Sequence, residues 1–197
     1  AAFVISRGNT GASRAVEEIG FFDQVGIEPG ETWYDTVAEA VGSAHVLVCL
    51  FSDNYFRSTV CGQEFELFRT RVRAYAQAQG KAEPPLILPV LWHRAEKLST
   101  PLPAAVADLQ YTYDKFPPIY RAEGLEFMMR LTKHQDDYTE FLIRLADLLI
   151  ELVQADTLLP QTPRPVLKTA RNAFSPVPAA LPAAALPAAP VPAAALK

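Results

Sequence analysis

Six consecutive apolar residues, Val46-Leu47-Val48-Cys49-Leu50-Phe51, end abruptly at Ser52-Asp53-Asn54. A run this short and this rich in β-formers, with no polar residue alternating through it, describes a strand covered on both faces. That requirement constrains the fold more than any other feature of the chain. Covering both faces of a strand takes helices on either side of a sheet, and the flanking sequence supplies them. Before the run, Trp33, Val37, Ala40, Val41 and Ala44 recur at the spacing of one helical face. After it, a stretch from about Tyr55 to Gln79 stacks Cys61, Phe65, Phe68 and Val72 on one side. Phe3-Val4-Ile5 and Gly20-Phe21-Phe22-Asp23 are two further short strands, and Pro85 to Trp92 is a fourth, with its prolines near the ends or at a bulge. A last helix, about Asp136 to Gln154, aligns Phe141, Leu145, Leu148, Leu149 and Leu152, with Asp136 and Asp137 suited to its positive end. Strands alternating with helices predict a three-layer α/β domain with a central parallel sheet, whose ligands bind beyond the carboxyl ends of the strands.

The first crossover strains this scheme. A parallel connection takes a dozen or more residues and usually a helix, yet only Arg7 to Gly20 lies between the first two strands. Ser13 to Ile19 offers two helical turns at most. Either the crossover is stunted, or residues of a longer helix are missing from the chain.

At the other end the composition changes. Nine of the 17 prolines fall between Pro160 and Lys197, interleaved with alanine as in Leu181-Pro182-Ala183-Ala184-Ala185-Leu186-Pro187. Proline fixes φ and removes a donor, and alanine buries little, so the expected state is a disordered or polyproline-II spacer. The expected organisation is a folded domain over residues 1–159 and an Ala/Pro-rich linker or tail over 160–197, with a proline-rich recognition motif as the other reading of the tail. The tail carries four basic and no acidic side chains, whereas residues 1–159 hold 14 basic against 22 acidic ones. An acidic domain is not drawn to nucleic acid. Two cysteines and three histidines, dispersed at 49, 61, 45, 93 and 134, match no metal-ligand spacing and no disulfide framework. The longest apolar run, Ala44 to Phe51, is far short of the roughly 20 residues a membrane span needs. No basic, apolar, small-residue leader opens the sequence, so the expected location is the cytoplasm, without membrane or metal.

With these elements in order, the chain resembles a bacterial TIR (Toll/interleukin-1 receptor) domain. Phe3-Val4-Ile5-Ser6-Arg7-Gly8 is similar to the first strand and loop of that family. Phe22-Asp23, Gly30 and Trp33 resemble its BB loop and the helix that follows. Most specific is Ser52 to Phe65, which matches the family pattern of Ser, Tyr, Ser, Cys and Glu at three-residue intervals: Ser52, Tyr55, Ser58, Cys61 and Glu64. Pro89-Val90 looks like the family's fourth strand, and the likeness spans roughly Ala2 to Gln154. Pro85 to Trp92, with Tyr120 to Leu131 and Asp136-Asp137-Tyr138, further resembles the actinobacterial TIR-like FxsC proteins, which accompany peptides with an FxSxx carboxyl end.

The resemblance implies a flavodoxin-like fold and, in the catalytic members, cleavage of the nicotinamide–ribose bond of NAD+ as substrate, in bacterial defence or signalling, with no separate cofactor. It places Glu64 at the catalytic position. Departure of neutral nicotinamide leaves an oxocarbenium-like ribose that a carboxylate can stabilise, and Glu64 falls about 60° to one side of the apolar stripe, a partly desolvated setting. The competing reading pairs Glu64 with Arg71, two turns on. Phe3, Arg7, Trp33, Ser58 and Cys61 would border the NAD+ pocket. Arg7 is equally well a solvated loop charge, and Trp33 equally well a core anchor for its helix. Cys61 has no histidine placed to make it a nucleophile, and Gly8-Asn9-Thr10-Gly11 lacks the Gly-Lys-Ser/Thr of a phosphate-binding loop. Gly26, Ile27, Glu28, Pro29 and Gly30 would form the assembly loop through which one TIR domain packs on another, completing the pocket across two protomers. The alternative is a non-catalytic adaptor whose same surfaces only assemble signalling complexes.

Overall fold

The computed structural model describes residues 2–5, 20–21, 33–98, 102–111 and 113–175, the first two segments as backbone. Arg7, Asp23 and the Gly26–Gly30 loop lie outside the described residues, as does the side chain of Phe3. The chain runs β1 (Ala2–Ile5), β2 (Gly20–Phe21), α1 (Trp33–Ser43), β3 (Val46–Phe51), α2 (Asp53–Arg57), α3 (Thr59–Gln79), β4 (Ile87–Leu91), α4 (Pro118–Glu123), α5 (Leu125–Arg130) and α6 (Gln135–Ala155).

The sheet order is β2-β1-β3-β4. β3 and β4 are parallel, in register from Leu47 opposite Ile87 to Phe51 opposite Leu91, and the α2–α3 crossover joins them. Every residue of β3 except Leu50 is buried, as the unbroken apolar run requires. The expected central parallel sheet holds for β3 and β4 and is corrected at β1, which is antiparallel to β3 (Ala2 opposite Cys49, Ile5 opposite Val46) and to β2. An antiparallel neighbour needs no helix carried back across the sheet. The short link between β1 and β2 therefore suffices, and the fold is mixed α/β with a small parallel portion.

The long helix expected from Tyr55 to Gln79 is interrupted. Ser52 caps α2, its Oγ accepting from the Tyr55 amide at 3.2 Å, and Ser58 caps α3, its Oγ accepting from the Cys61 amide at 3.2 Å. Ser58 itself is extended, with φ −75° and ψ 117°, which separates the two helices. Gly80, at φ 62°, closes α3 in the left-handed conformation that glycine adopts without strain.

The core gathers Val37 and Val41 of α1, Phe65, Phe68 and Val72 of α3, strands β3 and β4, and Tyr120, Met128 and Phe141 from the later helices. Packing does not stop at residue 159, where composition puts the end of the domain. Leu158, Leu167, Ala173 and Phe174 are buried, and residues 156–175 form a strap over α1 and α3. The Gln161 amide donates to Gly42 O at 2.9 Å, Gln63 Nε2 donates to Ala170 O at 3.0 Å, and the Ala173 amide donates to Gly62 O at 3.1 Å. Proline-rich sequence can dock this way because extended backbone leaves its polar groups free for a neighbour, while occasional large apolar residues supply the anchors. Residues 176–197 of the expected tail lie outside the described residues. Among the described residues, no helix is long and apolar enough to cross a membrane.

Candidate functional site

Three elements converge where α3 begins. β3 brings Cys49, fully buried; α2 brings Tyr55, 2% exposed; the first turns of α3 bring Cys61 and Glu64, with Glu64 6% exposed. The Ser caps make this convergence local. Each of Ser52 and Ser58 accepts from the amide three residues on, which fixes where Tyr55 and Cys61 start their turns, and Glu64 follows one turn later on the face that carries Cys61. Three of the intervals in the Ser/Tyr/Ser/Cys/Glu pattern thus have a plain geometric meaning: two N-caps and one helical turn.

Beside Glu64, the described cluster holds a thiol and a phenol, both buried. Burial pushes the Cys49 thiol up to about 12, with the neighbouring Tyr55 hydroxyl acting the other way and the carboxylate of Glu64 adding to the rise. Burial likewise holds the Tyr55 hydroxyl well above its ordinary value, with Cys49, Cys61 and Glu64 contributing. Cys49 and Tyr55 are therefore neutral at physiological pH, and Cys49 is not an activated nucleophile. A buried carboxylate interacts strongly with a cationic centre brought to it.

Arg71, the partner that the competing reading gives Glu64, is turned elsewhere. Its Nη1 donates to Val41 O at 2.6 Å and Ala44 O at 3.1 Å, and its Nη2 to Leu159 O at 2.9 Å. It ties α1 and the strap to α3; burial lowers it to about 10, which leaves it a cation. Ser58 serves as the cap of α3. Trp33 opens α1, half-buried, with its ring edge-on to Tyr34 at 4.9 Å. Phe174 of the strap borders the cluster from outside, 5.2 Å from the Tyr55 ring and 5.5 Å from that of Phe65.

A cavity of about 510 Å³ opens beside α2 and is lined by Ser52, Asp53, Asn54, Arg57, Trp92, His93 and Lys97. It sits beyond the carboxyl ends of the parallel pair β3 and β4, where open α/β sheets take their ligands. Arg57, Trp92, His93 and Lys97 are lining residues that no sequence pattern marks as a site. The signal available was their position just after two parallel strands. His93 Nδ1 lies 2.9 Å from Glu126 Oε2, which fixes the ring at the rim.

A family model described as TIR domain covers residues 14–117, from before α1 to just short of α4. That span includes Trp33, Ser58, Cys61, Glu64 and the Gly26–Gly30 segment, and leaves out β1, α4–α6 and the strap. No curated protein and no solved structure matches the chain.

Proposed function

The chain belongs to the TIR domain family, and from that premise we propose that it is an NAD+ glycohydrolase centred on Glu64. The observation that carries the reading is the buried carboxylate of Glu64 at the head of α3, set among the neutral Cys49 and Tyr55. NAD+ would present its positively charged nicotinamide ribosyl group to this carboxylate. As the N-glycosidic bond breaks, nicotinamide leaves with the bonding electron pair and the ribose becomes an oxocarbenium-like cation, which Glu64 stabilises. Water adds at the anomeric carbon and releases a proton, giving ADP-ribose and free nicotinamide. Trp33, Ser58 and Cys61, with Phe3 and Arg7, are the proposed pocket lining. The Gly26–Gly30 loop is the proposed contact with a second copy, which would complete the site, so activity would appear on self-association. The role fits bacterial defence or signalling in the cytoplasm.

A second reading has its own observation. At 6% exposure Glu64 offers a substrate little surface, which suits a TIR adaptor that assembles partners and cleaves nothing. NAD+ consumption and nicotinamide release, measured on concentrated or bead-tethered protein beside Glu64→Ala, separate the two. The glycohydrolase gives turnover that the variant loses. The adaptor gives none at any concentration, together with self-association that changes at Pro29 or Gly30 disrupt.

A further inference from the structure

On the side of α3 away from Glu64, a second and larger cavity of about 640 Å³ lies between the helix, the 102–105 segment and the end of the strap. Glu66, Arg69 and Arg73 share the helical face that lines it, roughly 160° around α3 from Glu64. Arg171, exposed, enters from the strap. The opposite wall is apolar, built from Leu102, Pro103 and the ring of Phe174. Three guanidinium groups against one carboxylate make the concavity cationic, and its volume is that of a site for a small organic ligand. From this arrangement we propose a binding site for a phosphate-bearing organic anion of nucleoside-diphosphate size, with phosphates held by Arg69, Arg73 and Arg171 and the organic body against Phe174 and Leu102.

The arginines are placed to do this. Arg69 is oriented by donation from Nη1 to Ala105 O and by its position 5.9 Å from the centre of the Phe65 ring, which leaves its remaining N–H groups for a ligand. Arg73 pairs with Glu83 at 3.1 Å, but both side chains are 47% exposed, and a surface pair of this kind yields readily to a phosphate. Guanidinium forks match phosphate oxygens two at a time, which lysines do not. Arg171 lines the cavity from a strap whose Ala173 amide is bonded to Gly62 O, so a ligand held by Arg171 and the docked strap would stabilise each other. The site does not depend on chemistry at Glu64.

The test is calorimetric titration of the full chain with ADP, adenosine and inorganic pyrophosphate, at low and at physiological ionic strength. ADP is expected to bind more weakly as salt rises, and adenosine not to bind at matched concentrations. Arg171→Ala, whose side chain is exposed and whose unfolding transition should be unchanged, is expected to weaken ADP by about tenfold or more, the loss of one charge-assisted contact. Glu66→Gln should tighten it, and Glu64→Ala should leave it unchanged. Absence of ADP binding, ADP binding that Arg171→Ala and Glu66→Gln both leave unaltered, or ADP binding abolished by Glu64→Ala would overturn the proposal. The second result would place the nucleotide outside this cavity, and the third would place it at the Glu64 cluster.

Discussion

Replacing Gly62 by alanine should destabilise this protein, although the same change at an unobstructed helix position stabilises by about 1 kcal/mol. Gly62 lies in the first turn of α3, and a Cβ there would overlap the Asn172 side chain, with Asn172 Cγ only 2.7 Å away and Phe174 Cδ2 at 3.2 Å. Asn172 cannot simply swing aside without loss, because its Oδ1 accepts from the Phe174 amide at 2.9 Å. If the strap lifts instead, it gives up the Ala173–Gly62 and Gln63–Ala170 hydrogen bonds, about 1 kcal/mol each. Phe174, 8% exposed, then returns to water at about 2 kcal/mol. These losses come to about 4 kcal/mol, and the gain in helix propensity offsets about 1, so the net cost is about 3 kcal/mol by strap release. Rotating Asn172 alone would cost about 1 kcal/mol in the lost bond, which the propensity gain roughly cancels, before the contact with Phe174 Cδ2 is relieved. The expected change is therefore a net fall in urea unfolding of up to about 3 kcal/mol, with faster exchange of the Ala173 amide where the strap lifts. Asn172→Ala in the Gly62→Ala background should recover part of it, since the overlapping atoms are gone. A Gly62→Ala protein more stable than the parent, with Ala173 still protected, would refute the packing argument.

Three further expectations follow from the same geometry. Ser58→Ala removes the cap of α3 and should cost about 1 kcal/mol in denaturant unfolding, with Ser58→Gly milder. Because Cys49 is raised from 9.0 to about 12 on folding, the folded state keeps a proton that the unfolded chain loses. Stability from this group is therefore complete below pH 9 and is lost as pH rises toward 12, so Cys49→Val should flatten the alkaline limb of a stability–pH profile, and an unchanged limb would contradict the assignment. The same thiol should resist alkylation at pH 8 in the folded protein and react once urea unfolds it, as followed by mass spectrometry.

What could be read from sequence depended on how local its cause was. β3 was legible because a strand covered on both faces must be apolar throughout, and the helical arithmetic that put Glu64 beside the stripe anticipated its burial. The break at Ser58 was written in the same residues that carry the family pattern, but three-residue spacing reads as helix continuing unless each serine is recognised as a cap. The direction of β1 was not legible, since an apolar triplet pairs equally well either way and only the short link to β2 hints at the antiparallel choice. The strap was hidden by averaging: proline and alanine dominate the composition after residue 160, while docking rests on Leu167, Ala173, Phe174 and the absence of a side chain at Gly62, over 100 positions earlier in sequence. For the same reason the arginine-lined cavity, which needs Arg171 beside Arg69 and Arg73, has no local signature.

We propose that the buried carboxylate of Glu64 supports cleavage of NAD+. It is tested most directly by following NAD+ loss and nicotinamide release from concentrated or tethered protein, alongside a Glu64→Ala variant shown to fold and self-associate like the parent. Turnover is expected in the parent and none in the variant. Equal turnover in both, or none in a folded and self-associated parent, would contradict it.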